Sequence, residues 1–276
     1  MAATATTLPR SRASISIPPD KVRTVAMGLV GALLSIAVWW LAAATFLKAH
    51  QVPTPPDVLS VFGERGLGYY RGIFSITLEE AGRGYLVGVA IALVLAMLVL
   101  LVPQLEPLIM QFAVVTYCLP IVVLAPILII VHDLPVKGGT SATAIDLAAI
   151  SVFFTTVVGA VLGFRSADRT TVDVVSVYGG GKVQQFFRVR LVSALPALFT
   201  TLQIAAPAAF LGALLGEYFD RHLEIGVGPS LILAQNNRET ALAWSLGIAC
   251  ALVSGIAYLV IGLVGRSVAP WSRGTR

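Results

Sequence analysis

The chain has 276 residues, 57% of them hydrophobic and 12% charged, and its mean hydropathy is +0.87. Soluble domains carry about 25% charged residues, so this composition supplies roughly half the charge a globular surface needs and argues against a soluble enzyme. Nineteen Lys and Arg against fourteen Asp and Glu leave a net charge of +5, a balance that suits nucleic acid only if the cations gather in one patch.

Residues 1–24 are rich in Ala, Thr, Ser, Pro and Arg and lack hydrophobic periodicity, the composition of a mobile tail. An apolar block follows at 25–47. Its Ala42-Ala43-Ala44 run resembles a signal-peptide cleavage site, but the block exceeds the ~7 to 15 residue core of such a leader, and Trp39-Trp40 suits a membrane interface. Five further blocks, at about 73–101, 107–131, 143–164, 197–216 and 241–264, are each long enough to cross a ~30 Å hydrocarbon layer as a helix. The expectation is an all-α polytopic membrane protein with six transmembrane helices. Its parts are a cytoplasmic tail at 1–24, a transmembrane domain at 25–264 and a second cytoplasmic tail at 265–276.

Between the first two blocks, Val52-Pro53-Thr54-Pro55-Pro56-Asp57 is extended or turning. Pro56 then opens a short surface helix ending near Gly66. Glu79, Glu80 and Arg83 read as an internal salt-bridge cluster. Pro120 and Pro126 bend the third block, either to line a pathway or as a packing kink. Asp146, ionisable within an apolar block, faces a cavity or partner, or else is a solvated interfacial residue or helix cap. The pairs Gly84-X-X-X-Gly88, Gly159-X-X-X-Gly163 and Gly212-X-X-X-Gly216 read as close helix contacts. Trp39, Trp40, Trp244 and Trp271 read as interface anchors. Cys118 and Cys250 read as buried thiols, and His50, His132 and His222 are scattered singly, so no metal site is expected.

Counting Lys and Arg on alternate sides sets the orientation. With the N-terminus inside, the inner segments hold Arg10, Arg12, Lys21, Arg23, Arg165, Arg169, Lys182, Arg188, Arg190, Arg266, Arg273 and Arg276. The outer ones hold Lys48, Arg65, Arg71, Arg83, Lys137, Arg221 and Arg238. Twelve against seven places both termini in the cytoplasm, so the basic balance reflects topology and a nucleic-acid partner is not expected.

The longest cytoplasmic segment is then 165–195. It reads as a short helix at 170–178, a Gly179-Gly180-Gly181 break, a second amphipathic stretch at 182–191, and Pro196 opening the next membrane helix. Val174, Val175, Val177 and Tyr178 give the first helix an apolar face that a cytoplasmic protein would cover. The Gly-Gly-Gly-Lys run ending at Lys182 is not a Walker A loop, because Ser176 stands where its first Gly belongs and Val183 where Ser or Thr must follow Lys. The glycine break is otherwise an ordinary helix-ending turn.

Here the chain resembles the membrane-spanning permease subunit of type I ABC importers, in the nitrate, sulfonate and taurine branch. That family's cytoplasmic signature is Glu-Ala-Ala, three residues, then Gly, with a downstream Leu-Pro. Aligned on Gly179, Asp173 replaces the Glu, Val174 and Val175 the two Ala, and Leu191-Val192 the Leu-Pro, with Pro196 kept as a second proline. Val52-Pro53-Thr54-Pro55 with Val58 resembles the family's outer proline segment, and Thr77 to Gly88 its Thr-Leu-X-Arg-X-X-X-Gly helix start, with Glu80 in place of Arg. Leu119-Pro120 with Leu124-Ala125-Pro126 resembles its proline-containing third helix. His132 to Gly139 replaces its Phe-Gly turn. Glu217 and Gly226-Val227-Gly228 resemble its outer Glu and Gly-Leu-Gly, and Pro270-Trp271 its terminal Pro-Trp.

The resemblance implies a non-enzymatic channel-forming subunit of a bacterial inner membrane that binds no cofactor itself. Its implied partners are a second permease chain, two ATPase subunits carrying ATP and Mg, and an external binding protein. It assigns ATPase docking to Asp173, Val174, Val175, Val177, Tyr178, Gly179, Gly180, Gly181 and Lys182, and the face toward the binding protein to Gly226 and Gly228. A translocation path is expected past Tyr117, Pro120, Asp146 and Glu217, with cargo of the sulfonate or nitrate type. The alternative, a secondary transporter driven by an ion gradient, should show internal repeats and paired intramembrane charges. No repeat is visible between the halves, and Asp146 alone qualifies as such a charge.

Overall fold

The computed structural model describes residues 19–47, 51–132 and 138–271. The expected tail through Pro18, with Arg10 and Arg12, lies outside the described residues, as do Lys48, His50, the Asp133 to Lys137 run, Arg273 and Arg276. The chain divides into two compact units, Met1–Asp57 and Val58–Arg276, a division well inside the expected transmembrane domain.

In the first unit, helix α1 (Pro19–Ala44) begins within the expected tail. Its Ala26–Ala44 stretch is long and apolar enough to cross a membrane. Ser35 and Thr45 donate their hydroxyls to carbonyls one turn back, at 2.9 and 2.6 Å, so neither presents an unpaired polar group to lipid. Further on, the Thr54 N–H and hydroxyl both donate to Asp57 Oδ2, at 2.8 and 2.7 Å. The Asp57 carboxylate thus reaches back to satisfy the backbone N–H that precedes the helix, with proline in the first turn.

That cap opens α2 (Pro55–Leu101), a 47-residue helix broken at Gly66, whose φ of 70° only glycine adopts cheaply. The expected surface helix is its first leg, and the second expected block is its second leg. In the second unit, α3 (Glu106–Cys118) and α4 (Ile121–Val131) meet at 95°. The expected bend is a full break, because Pro120 has no N–H to continue the ladder and holds Leu119 extended at φ −70°, ψ 123°.

Helix α5 (Ala142–Arg165) lies at the centre. The Arg165 guanidinium pairs with Glu106 at one end, and His132 Nε2 meets Asp146 Oδ2 at 2.7 Å at the other. Tyr117 stacks on Phe154 between them, ring centroids 4.6 Å apart. The bent α3–α4 pair therefore runs the length of α5, antiparallel to it.

Next come α6 (Arg169–Val177), α7 (Lys182–Gln185), a wide π turn at Phe186–Arg190, and α8 (Leu191–Phe219). The expected helix start at Pro196 is displaced: helical backbone runs from Lys182, and Pro196 lies inside α8. Burial of Phe186 and Val189 extends the packed helix below the proline. The chain finishes with α9 (Val227–Asn236) and α10 (Thr240–Val268).

The three glycine pairs pack as the spacing implies. A Cβ on Gly84 or Gly88 would strike Ala148, Ala149 or Val152 of α5, one on Gly212 or Gly216 would strike Leu147, Ser151 or Ala144, and one on Gly159 would strike Thr201. Gly163 faces Ala194 and Ala197. Helix α5 is thus gripped between α2 and α8, with α8 antiparallel to it. Outward-facing Leu86, Ile91, Leu162, Leu211, Leu252 and Leu259 are all exposed, the inverse of a water-soluble surface and the arrangement that lipid solvates.

Candidate functional site

The loop joining α5 to α8 forms one end of the bundle. Asp168 caps α6 by accepting from the Thr171 N–H at 3.2 Å. At its far end the Gly179 N–H donates to the Ser176 carbonyl at 2.9 Å and the Gly180 N–H to the Val175 carbonyl at 2.8 Å, with Gly179 at φ 78°. This paired closure is a Schellman turn. It explains two of the three glycines: Gly179 supplies the left-handed backbone, and a Cβ on Gly180 would strike Val175. Gly181 has an ordinary φ of −74° and open space around it.

The turn leaves Val177 85% and Tyr178 88% exposed. Asp173, Val174, Lys182, Val183 and Phe187 are exposed beside them, while Val175 is half-buried. Gln185 Nε2 donates to Ser176 Oγ at 2.9 Å, tying the two short helices together. Phe186, buried edge-on against Phe164 at 5.2 Å, roots the loop in the bundle. Of the docking residues expected from the sequence, Val174, Val177 and Tyr178 are exposed apolar side chains with the charged Asp173 and Lys182 beside them, on a turn anchored by Phe186.

The opposite end buries polar side chains. Glu217 is fully buried: its Oε1 accepts from the Thr77 hydroxyl and its Oε2 from the Gly228 N–H, both at 2.7 Å. Thr77 Oγ1 in turn accepts from the Val227 N–H at 3.1 Å. Gly226 presses on the Glu217 carboxylate, where a Cβ would clash. Glu217 caps α9 and opens onto no pathway in this conformation. Gly226 and Gly228 are buried beneath it, and the exposed residues of that corner are Arg221, His222, Glu224 and Ile225. The sequence signal for the cap was present in the Gly226-X-Gly228 spacing, which leaves backbone N–H groups open to a carboxylate.

Other expectations shift similarly. Glu79 pairs with Arg83 at 2.5 Å on the surface, whereas Glu80 is fully buried and accepts from the Ser141 N–H at 2.5 Å. Asp146 binds His132 and caps nothing, since Ser141 is the N-cap of α5. Tyr117 and Pro120 are exposed at the α3–α4 break, where Tyr117 stacks on Phe154, whereas Glu217 is buried against Thr77 and Gly228. Cys118 is exposed rather than buried, and Cys250 half-buried. Trp40, Trp244 and Trp271 are each about half exposed, as interface anchors would be.

Long apolar helices gripped by glycine contacts, with buried polar groups at one end and an exposed apolar loop at the other, define a polytopic membrane protein. The family model for the inner membrane component of binding-protein-dependent transport systems matches residues 84–274, and the chain belongs to that family. It is 25% identical to the riboflavin transport system permease protein of Chloroflexus aurantiacus over 96% of this chain and 98% of that one. It is 22% identical to the formylaminopyrimidine transport permease protein of Halalkalibacterium halodurans over 70% and 76%. To a probable ABC transporter permease protein of Haemophilus influenzae it is 26% identical over 69% and 75%. The chain is therefore a multi-pass permease subunit of an ABC transporter.

Proposed function

We propose that this chain forms the solute path of an ATP-driven importer and receives the work of a separate ATPase through segment 165–195. The observation that carries the reading is the exposed surface of Val174, Val177, Tyr178 and Val183 on a turn rooted by Phe186. Covering one such side chain is worth about 1.5 to 3 kcal/mol, so an ATPase seated there gains a firm mechanical grip. ATP and Mg reside on that ATPase, two copies of which serve two permease chains. An external binding protein delivers solute to the end bearing Arg221 and Arg238. Both termini lie in the cytoplasm of a bacterial cell, in keeping with the excess of Lys and Arg on that side.

For cargo we favour a small heterocycle, because the names of two relatives specify riboflavin and formylaminopyrimidine. The sulfonate or nitrate type implied by the branch resemblance is the second reading. Uptake into proteoliposomes holding the co-purified complex decides between them when riboflavin, an aminopyrimidine, taurine and nitrate are supplied with the binding protein and internal ATP. Heterocycle uptake that requires ATP is expected. Uptake driven by an ion gradient without ATP would establish a secondary transporter instead.

A further inference from the structure

Three carboxyl groups are buried together at the end opposite the α5–α8 loop: Glu80 and Glu217 at 0% and Asp220 at 4% exposure. Five of their six oxygens have a donor. Glu80 Oε1 takes the Ser141 N–H, and Glu217 takes the Thr77 hydroxyl and the Gly228 N–H. Asp220 takes the Ser141 hydroxyl at 2.7 Å and the His222 N–H at 3.1 Å. Each hydroxyl has thereby spent its one hydrogen. Glu80 Oε2 is the exception, fully buried with no donor. Shared donors bring the neighbouring carboxyl, Glu217, to it: Thr77, on the same face of α2 as Glu80, bonds Glu217, and Ser141 bonds both Glu80 and Asp220, three residues beyond Glu217.

Among the described residues no Lys, Arg or His forms an ion pair with any of the three. On α2 the flanking Glu79 and Arg83 are exposed and paired with each other. From the end of α8 come Glu217 and Asp220, from α10 Cys250 packs against the adjoining core, and the start of α5 brings the Ser141 N–H and hydroxyl. Two adjacent carboxylates, one with an orphaned oxygen, are untenable in apolar surroundings. A hydrogen on that oxygen removes one charge and supplies the missing donor at once.

We propose that Glu80 and Glu217 hold one proton between them, carried on Glu80 Oε2 and donated to Glu217, and that this proton fastens α2 to the α8–α9 corner. The asymmetry follows from the donors. Both Glu217 oxygens already accept, so Glu217 remains the anion, and only Glu80 has an oxygen free to carry hydrogen. Through Ser141 the same carboxyl holds the start of α5. The proton is a structural ligand shared by three elements, independent of which solute is moved.

The test uses the full chain with its co-purifying subunits in lipid nanodiscs at neutral pH. Infrared difference spectra should contain a protonated-carboxyl C=O band that shifts in D2O, is absent from Glu80→Gln and persists in the exposed control Glu79→Gln. Glu80→Gln, whose amide N–H replaces the O–H donor, should unfold at the wild-type temperature. Glu217→Gln should unfold at a lower one, because an amide nitrogen faces either the Gly228 N–H or the Thr77 hydroxyl. Absence of the band, its loss in Glu217→Gln but not Glu80→Gln, or equal destabilisation by both variants overturns the proposal. So does an unfolding temperature that rises with sodium at fixed ionic strength, which would place a metal cation where the proton is assigned.

Discussion

Gly179 and Gly181 differ by two positions and by nearly everything physical. Gly179 sits at φ 78° inside a Schellman turn, and Gly181 at φ −74° in open space. Gly179→Val should cost about 1 to 3 kcal/mol locally, too little to unfold the bundle but a factor of roughly 5 to 150 in an equilibrium between docked states. Uptake should fall at near-normal membrane abundance, while Gly181→Val keeps both. Measuring uptake, abundance and ATPase co-purification for the two variants checks this, and full uptake by Gly179→Val would reduce the glycine to a tolerant turn. Inside the bundle the contrast lies between Gly88 and Gly82, since a side chain on Gly88 meets α5 and one on Gly82 meets nothing within 4 Å. Gly88→Val should lose about 1 to 3 kcal/mol through overpacking, read as lower folded yield, with Gly82→Val near wild type. The glycine contacts were legible because small residues at four-residue spacing admit one efficient use in a membrane. Glu217 was not, because an intramembrane acid facing a path and one capping a buried helix look alike in a sequence.

At the scale of elements, apolar runs located each long helix, since about 20 consecutive apolar side chains have few alternatives to crossing. Their ends were harder to read. The chain through Lys182 to Phe219 continues past Pro196 because Phe186 and Val189 are packed on neighbouring helices, a tertiary fact that local propensity does not carry. The α3–α4 break was foreseen as a bend, since Leu119-Pro120 announces itself, but its 95° angle depends on contacts at both ends with α5. The exposed face of α6 yields a direct prediction. A cysteine at Val177 should crosslink to the ATPase, and Val177→Asp should reduce ATPase co-purification without lowering membrane abundance. Unchanged co-purification for Val177→Asp would remove α6 from the interface.

For the whole molecule, the open question is the second permease chain. Val174 and Val175 add bulk where the family signature has two alanines, and Val174 is exposed while Val175 is half-buried. Overpacking of an unaltered ATPase groove typically costs about 1 to 3 kcal/mol. Either this chain pairs with itself and meets an ATPase reshaped to match, which we favour, or it pairs with a permease that keeps the usual signature. Two differently tagged copies, co-expressed and purified through one tag, separate the cases. Recovery of the second tag is expected, and its absence from an intact, transport-competent complex excludes self-pairing. The resemblance made the family legible through order and spacing of weak motifs, whereas the choice of partner leaves no such trace.

The salt bridge between Arg65 and Glu239, at 2.7 Å, has a topological reading. It sets the first leg of α2 beside the turn before α10, and with α3–α4 lying antiparallel along α5 it fixes the parity of the fold. Five traverses separate Arg65 from Trp271, namely α2, the α3–α4 pair, α5, α8 and α10. A membrane-impermeant maleimide should therefore reach cysteines placed at Arg65 and Arg238 from one face, and cysteines at Val177 and Trp271 only from the other, in a background lacking Cys118 and Cys250. Had the bent pair turned back without traversing, Arg65 and Arg238 would be labelled from opposite faces.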